Sequence, residues 1–101
     1  MVVVVELSII PLGKEISISK SLASALKELD RLGVRYDITP MCTIFEAESP
    51  EEAFNAAKAA HENVFKMGVR RVVTTVKIDD RRDIERYMEE KVKSLKEAMV
   101  Q

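Results

Sequence analysis

Residues Val2 to Ile10 are rich in β-branched side chains with Glu6 and Ser8 the two polar interruptions, two apart, which predicts a strand with two unlike faces. Val3, Val5, Leu7 and Ile9 share one face; Val4, Glu6, Ser8 and Ile10 share the other. The spacing then lengthens to three and four. Ile18, Leu22, Leu26 (or Ala25), Leu29 and Leu32 predict a helix over residues 17–32, capped by Ser17 or Ser19 and stopped by Gly33. Two short strands, 35–39 and 42–47, flank Pro40, which cannot donate to a ladder and belongs at an edge or bulge. Ser49-Pro50-Glu51-Glu52 opens a second helix with an N-cap serine, proline at the first helical position and a capping-box glutamate. That helix runs to Met67 and stops at Gly68. Alternation returns over 72–79. A last helix, capped by Asp79 or Asp80, carries Ile84, Met88, Val92, Leu95 and Met99 as an apolar stripe.

The order βαββαβα predicts an α+β fold, a ferredoxin-like βαββαβ sandwich with an extra C-terminal helix. Its four-stranded antiparallel sheet has the first strand between the third and the fourth, with helices on one face. The extra helix must bury its stripe on this sheet or on a second subunit. A chain of 101 residues supports one core, so residues 1–101 are read as a single domain.

Composition narrows the partners. With 47% apolar and 33% charged residues the chain can offset its ordering entropy and fold. A net charge of −1, with bases dispersed among acids, argues against nucleic acid. The run Met1–Glu6 has no basic start, is broken by Glu6 and precedes no small-residue cleavage site, so it is not read as a signal peptide. No segment approaches the ~20 apolar residues of a membrane span. A cytoplasmic location is expected, and the lone Cys42 agrees with a reducing compartment. Amides are confined to Asn55, Asn63 and Gln101, which leans towards a thermophilic source.

The sheet face without helices is the informative one. It is predicted to carry Val4, Glu6, Ser8 and Ile10, then Val73, Thr75, Lys77 and Asp79, then Cys42, Ile44 and Glu46. Glu6, on the central strand, has Lys77 and Glu46 within reach. Acids and one base among apolar neighbours suit either a pocket for a polar cation or a subunit interface with ion pairs.

Other candidate chemistry is weaker. His61 has no Ser or Cys placed to partner it and reads as a satisfied helix histidine. Cys42 has no Cys or His at ligand spacing. Adjacent arginines neutralise the acids of Asp79-Asp80-Arg81-Arg82-Asp83, which reads as a helix cap and subunit tie instead of a metal site. Pro11-Leu12-Gly13 is no phosphate loop, and the first and fourth strands lack aromatics to stack RNA bases. No catalytic residue, metal or cofactor is expected.

The segments Glu6–Gly13, Ser17-Ile18-Ser19, Val34–Ile38, Thr43–Glu46, Ala60-His61 and Arg71–Asp83, in this order and spacing, resemble the thiamine-binding protein family. These are small ferredoxin-like proteins of archaea, bacteria and fungi, long carried under an uncharacterised-family label. The resemblance covers nearly the whole chain. It implies a cytoplasmic protein that binds thiamine or its hydroxymethylpyrimidine part without catalysis. It also implies subunits that pair through their sheets into homodimers or homotetramers. One departure is Cys42, where similar sequences usually have Gly before the Thr of the third strand; a glycine there would let a ligand or backbone approach closely.

Thiamine joins a cationic thiazolium to an aminopyrimidine, so its site needs carboxylate, donors and acceptors within apolar walls. Strand alternation and motif position nominate Glu6, Glu46 and Asp79 as acceptors, with Ser8, Thr43, Thr75 and Lys77 completing the set. Ile10, Ile44, Val73, Arg81 and Arg82 are expected at a subunit interface. Alternatives are a regulatory module for another small metabolite and a purely structural oligomer.

Overall fold

The computed structural model describes residues 2–13, 18–83 and 87–100. The elements are β1 (Val3–Leu12), α1 (Ile18–Arg31), β2 (Tyr36–Ile38), β3 (Thr43–Ala47), α2 (Pro50–Phe65), β4 (Arg71–Asp80) and α3 (Met88–Val100). The sheet is antiparallel in the order β2-β3-β1-β4, so β1 lies between β3 and β4 as the alternation predicts.

Period-two alternation becomes burial. Val3, Val5, Leu7 and Ile9 are buried with Phe45 and Ala47 of β3 beneath α1 and α2, whereas Glu6 and Ile10 are exposed. Helix α2 begins as its sequence requires: Ser49 is extended and its Oγ accepts the Glu52 N–H at 3.1 Å. The Glu52 carboxylate reaches the Glu48 N–H at 3.3 Å, one residue before the cap. Gly33 follows α1 at φ +71°, a conformation that favours glycine at a helix end.

Helix α1 is rotated from its leucine pattern. Ser21, Ser24, Ala25 and Leu29 are its buried residues, while Ile18, Leu22 and Leu32 remain exposed. The reason is close packing between small side chains. Ala53, Ala56, Ala57 and Ala60 of α2 are buried opposite, and the helices exchange two hydrogen bonds. Ser24 Oγ donates to the Asn63 carbonyl at 3.0 Å, and Asn63 Nδ2 donates to the Ser24 carbonyl at 2.6 Å. A polar contact sets the rotation where bulk hydrophobicity alone would have chosen another face.

The last helix also differs from expectation. Asp79 and Asp80 are strand residues, paired across the ladder with Val4 and Val3, and α3 begins at Met88. They do not cap it. Ile84 and Ser17 lie outside the described residues. Met88 is buried, and α3 borders the open sheet face at Asp37 and Ile44. The rest of its stripe is not covered: Val92, Leu95 and Met99 are exposed.

Candidate functional site

The open face forms as the alternation requires. Glu6 lies directly between Lys77 of β4 and Ile44 of β3 in the ladder, and Val4 lies between Asp79 and Glu46. Ser8 faces Thr75, and Ile10 faces Val73. Glu6, Ser8, Thr75, Lys77, Asp79 and Glu46 therefore share one face. Thr43 does not: it pairs with Leu7 and has the parity of Phe45, which turns it to the helix side. A hydroxyl there is separated from the others by the sheet itself.

Helix α3 converts part of this face into a groove. A cavity of about 450 Å³ is lined by Val4, Glu6, Ile44, Lys77, Ile78, Asp79 and Lys91. Lys91 of α3 pairs with Asp79, so one of the nominated acceptors is already engaged. Ile44, nominated for a subunit contact, lines cavities against this chain's own helix. Ile10 and Val73 remain exposed side by side.

Glu46 occupies a different environment. Its side chain is only 9% exposed, and neither carboxylate oxygen has a hydrogen-bond partner. Arg35 Nη1 stands 3.6 Å from Oε1, close enough for charge attraction but beyond hydrogen-bond length. The same guanidinium pairs with Glu89 of α3. Glu46 and Arg35 border a cleft of about 590 Å³ at the end of the sheet, with Val2, Val34, Glu48, Glu52 and Tyr87 among its walls. Arg35, Tyr87, Glu89 and Lys91 were not legible as site residues. Arg35 sits just before β2, and the other three matter only because α3 folds back across the sheet.

The charged tail after β4 is largely paired with itself. Arg81 contacts Asp83 through two hydrogen bonds of 2.7 and 3.1 Å, and Arg82 reaches Asp80 at 2.8 Å. The hydrogen bond from Arg82 holds the Asp80 carboxyl below its ordinary range; the same bonds hold both guanidinium groups firmly protonated. Across the molecule, Tyr36 donates to Asp30 at 2.9 Å, which raises the phenol above its ordinary range.

The remaining candidates have structural partners. His61 Nδ1 lies 2.6 Å from Thr74 Oγ1, and its ring meets Phe65 edge-on with centroids 5.2 Å apart. Cys42 closes the turn into β3: its N–H donates to Thr39 Oγ1 at 3.1 Å, and that hydroxyl donates to the Cys42 carbonyl at 2.8 Å. Among the described residues only glycines have positive φ, so Cys42 fits without backbone strain. No described helix is long and apolar enough to cross a membrane. Among the described residues, no group of three His, Cys, Asp or Glu side chains is placed to hold a metal.

Comparison with known proteins agrees with this architecture. The family model described as "Thiamine-binding protein" matches residues 5–96. A UPF0045 protein of Methanothermobacter thermautotrophicus is 50% identical over 93 residues, covering 91% of this chain and 94% of that one. The crystal structure of a hypothetical protein from Methanocaldococcus jannaschii superposes with a TM-score of 0.85 at 38% identity, covering 95% of this chain and 97% of the other. A Thermotoga maritima protein, whose name proposes thiamine biosynthesis or salvage, shares the fold with a TM-score of 0.79 at 22% identity, covering 94% and 99% of the two chains.

Proposed function

The chain belongs to the thiamine-binding protein family, and from that premise we propose that it is a non-catalytic cytoplasmic binding protein for thiamine or its hydroxymethylpyrimidine part. The observation that carries the reading is the groove between the open sheet face and α3. It sets Glu6, Lys77 and Asp79 among the apolar walls of Val4 and Ile44. A thiazolium needs a carboxylate close by in partly apolar surroundings, and Glu6 supplies one. Ser8 and Thr75, facing each other along the same two strands, extend the polar lining with hydroxyls that can donate or accept. Glu46 adds a second carboxylate at the far end of the face.

A role in assembly is favoured by a separate observation. Ile10 and Val73 form an exposed apolar pair on the same face, and Leu95 and Met99 of α3 are 64% and 76% exposed. Those surfaces suit pairing of subunits into a dimer or tetramer, with Arg81 and Arg82 at the margin. Light scattering at low and high salt tests that part: a monomer at every concentration would remove it.

A thermal-shift panel of thiamine, its phosphates, hydroxymethylpyrimidine and amino acids tests the ligand. Stabilisation by thiamine or hydroxymethylpyrimidine is expected. Stabilisation by amino acids alone would support the regulatory small-metabolite alternative. A co-structure would then show whether the ligand lies over β1 and β4.

A further inference from the structure

Glu46 is the least satisfied charged group among the described residues. A carboxylate withdrawn from water normally accepts several hydrogen bonds, because desolvation without them is costly. Here both oxygens lack a donor although an arginine stands 3.6 Å away. Arg35 could close a fork of two hydrogen bonds on Glu46, the usual geometry of this pair. Instead it pairs with Glu89, which is exposed and belongs to α3. The arginine stays in charge contact with Glu46 at 3.6 Å, while its pairing with Glu89 on another element leaves the buried carboxylate without a hydrogen bond.

We propose that Glu46 is the recognition carboxylate for a planar cation of the amidinium class, presenting two parallel N–H donors, and that Arg35 sets the specificity of the cleft because its pairing with Glu89 keeps it from closing a hydrogen-bonded fork on Glu46. This deepens the small-cation reading above and rests on it for the expectation that a ligand enters this face. A carboxylate with two free acceptors matches two parallel N–H groups and rejects a ligand offering none, since the buried oxygens would stay unpaired. The adjustable wall is Arg35, whose side chain is 54% exposed and, among the described residues, is held only by ion pairs to Glu46 and Glu89. The walls contributed by Val2, Val34 and Tyr87 suit a flat, partly apolar body.

Glu89 provides the decisive test because it lies outside the binding contact. Calorimetry with benzamidinium, thiamine and hydroxymethylpyrimidine would compare the wild type with Glu46→Gln, Glu89→Gln, Arg35→Met and the double variant Arg35→Met/Glu89→Gln. Glu46→Gln should lose about tenfold or more in affinity for benzamidinium. Glu89→Gln should weaken it about two- to fivefold, because Arg35 then turns onto Glu46. Arg35→Met should bind at least as tightly as wild type, and Glu89→Gln should have no further effect in that background. Glu89→Gln without effect, or with the same effect when residue 35 is Met, overturns the proposal, as does equal benzamidinium binding by wild type and Glu46→Gln. Benzamidinium binding that needs Glu46, without binding of thiamine or hydroxymethylpyrimidine, would sustain the inference and remove the thiamine reading.

Discussion

Glu6 of β1 and Lys77 of β4 stand directly opposite each other across the antiparallel ladder, on the face that α3 partly roofs. Opposed charges at such positions contribute at most roughly 0.2–1 kcal/mol, and these two are neighbours in the ladder without a close ion pair. That is small enough for a ligand cation to take over the carboxylate. Glu6→Gln should therefore weaken thiamine binding about tenfold, since a charge-assisted contact to the thiazolium is lost. Hydroxymethylpyrimidine, which has no thiazolium, should lose much less. Parallel titrations of the two ligands would read this difference, and an equal loss for both would remove Glu6 from the thiazolium contact.

Glu46 should move stability and binding in opposite directions. Its carboxylate is withdrawn from water and lacks hydrogen bonds. Glu46→Gln removes that buried charge and should raise unfolding stability by about 1 kcal/mol while ligand affinity falls. Urea denaturation beside calorimetry checks the pair of effects. A variant less stable than wild type would mean that the charge serves the fold.

The link between α1 and α2 predicts a different kind of damage. Asn63 both donates to the Ser24 carbonyl and accepts from the Ser24 hydroxyl through its own backbone. Asn63→Ala leaves the Ser24 carbonyl without its side-chain donor and should cost about 1–3 kcal/mol by chemical denaturation, with ligand affinity unchanged in the folded protein.

Much of this architecture was legible in the sequence. Alternation in β1 and β4 put Glu6, Ser8, Thr75, Lys77 and Asp79 on one face because a strand's side-chain period admits no other choice once Val5 and Leu7 are buried. Thr43 was nominated by the motif, and the parity that Phe45 imposes turns it to the other face of the sheet. The rotation of α1 was hidden because a helix with Leu22 and Leu26 looks apolar on their side until Ser24 and Asn63 are known to meet. Arg35 and Lys91 escaped notice for a tertiary reason. Nothing local announces that α3 returns across the sheet to bring Glu89 to Arg35 and Lys91 to Asp79.

Acid should act on the turn after β4. Arg82 holds the Asp80 carboxyl below its ordinary value, so its contribution is present at neutral pH, where the group is ionised in both states. Stability is lost as pH falls below the unfolded value of 3.8 and through the lower folded one. The midpoint of urea unfolding should fall between pH 5 and pH 2.5, and less so in Asp80→Asn. An equal fall in both would place the acid sensitivity elsewhere.

Assembly is addressed by the apolar pair on the open face. Ile10 and Val73 face each other and are 49% and 43% exposed. A charge introduced by Val73→Glu should shift light scattering towards a smaller species without changing the circular dichroism spectrum. An unchanged mass would exclude this patch from the contact.

The claim that the open face of this sheet holds a thiamine-type ligand is tested most directly by isothermal calorimetry of the wild-type chain with thiamine and with hydroxymethylpyrimidine. Saturable binding with a dissociation constant below the millimolar range, lost together with Glu6 and Glu46, is the predicted result. No heat from either compound at millimolar concentration would contradict it.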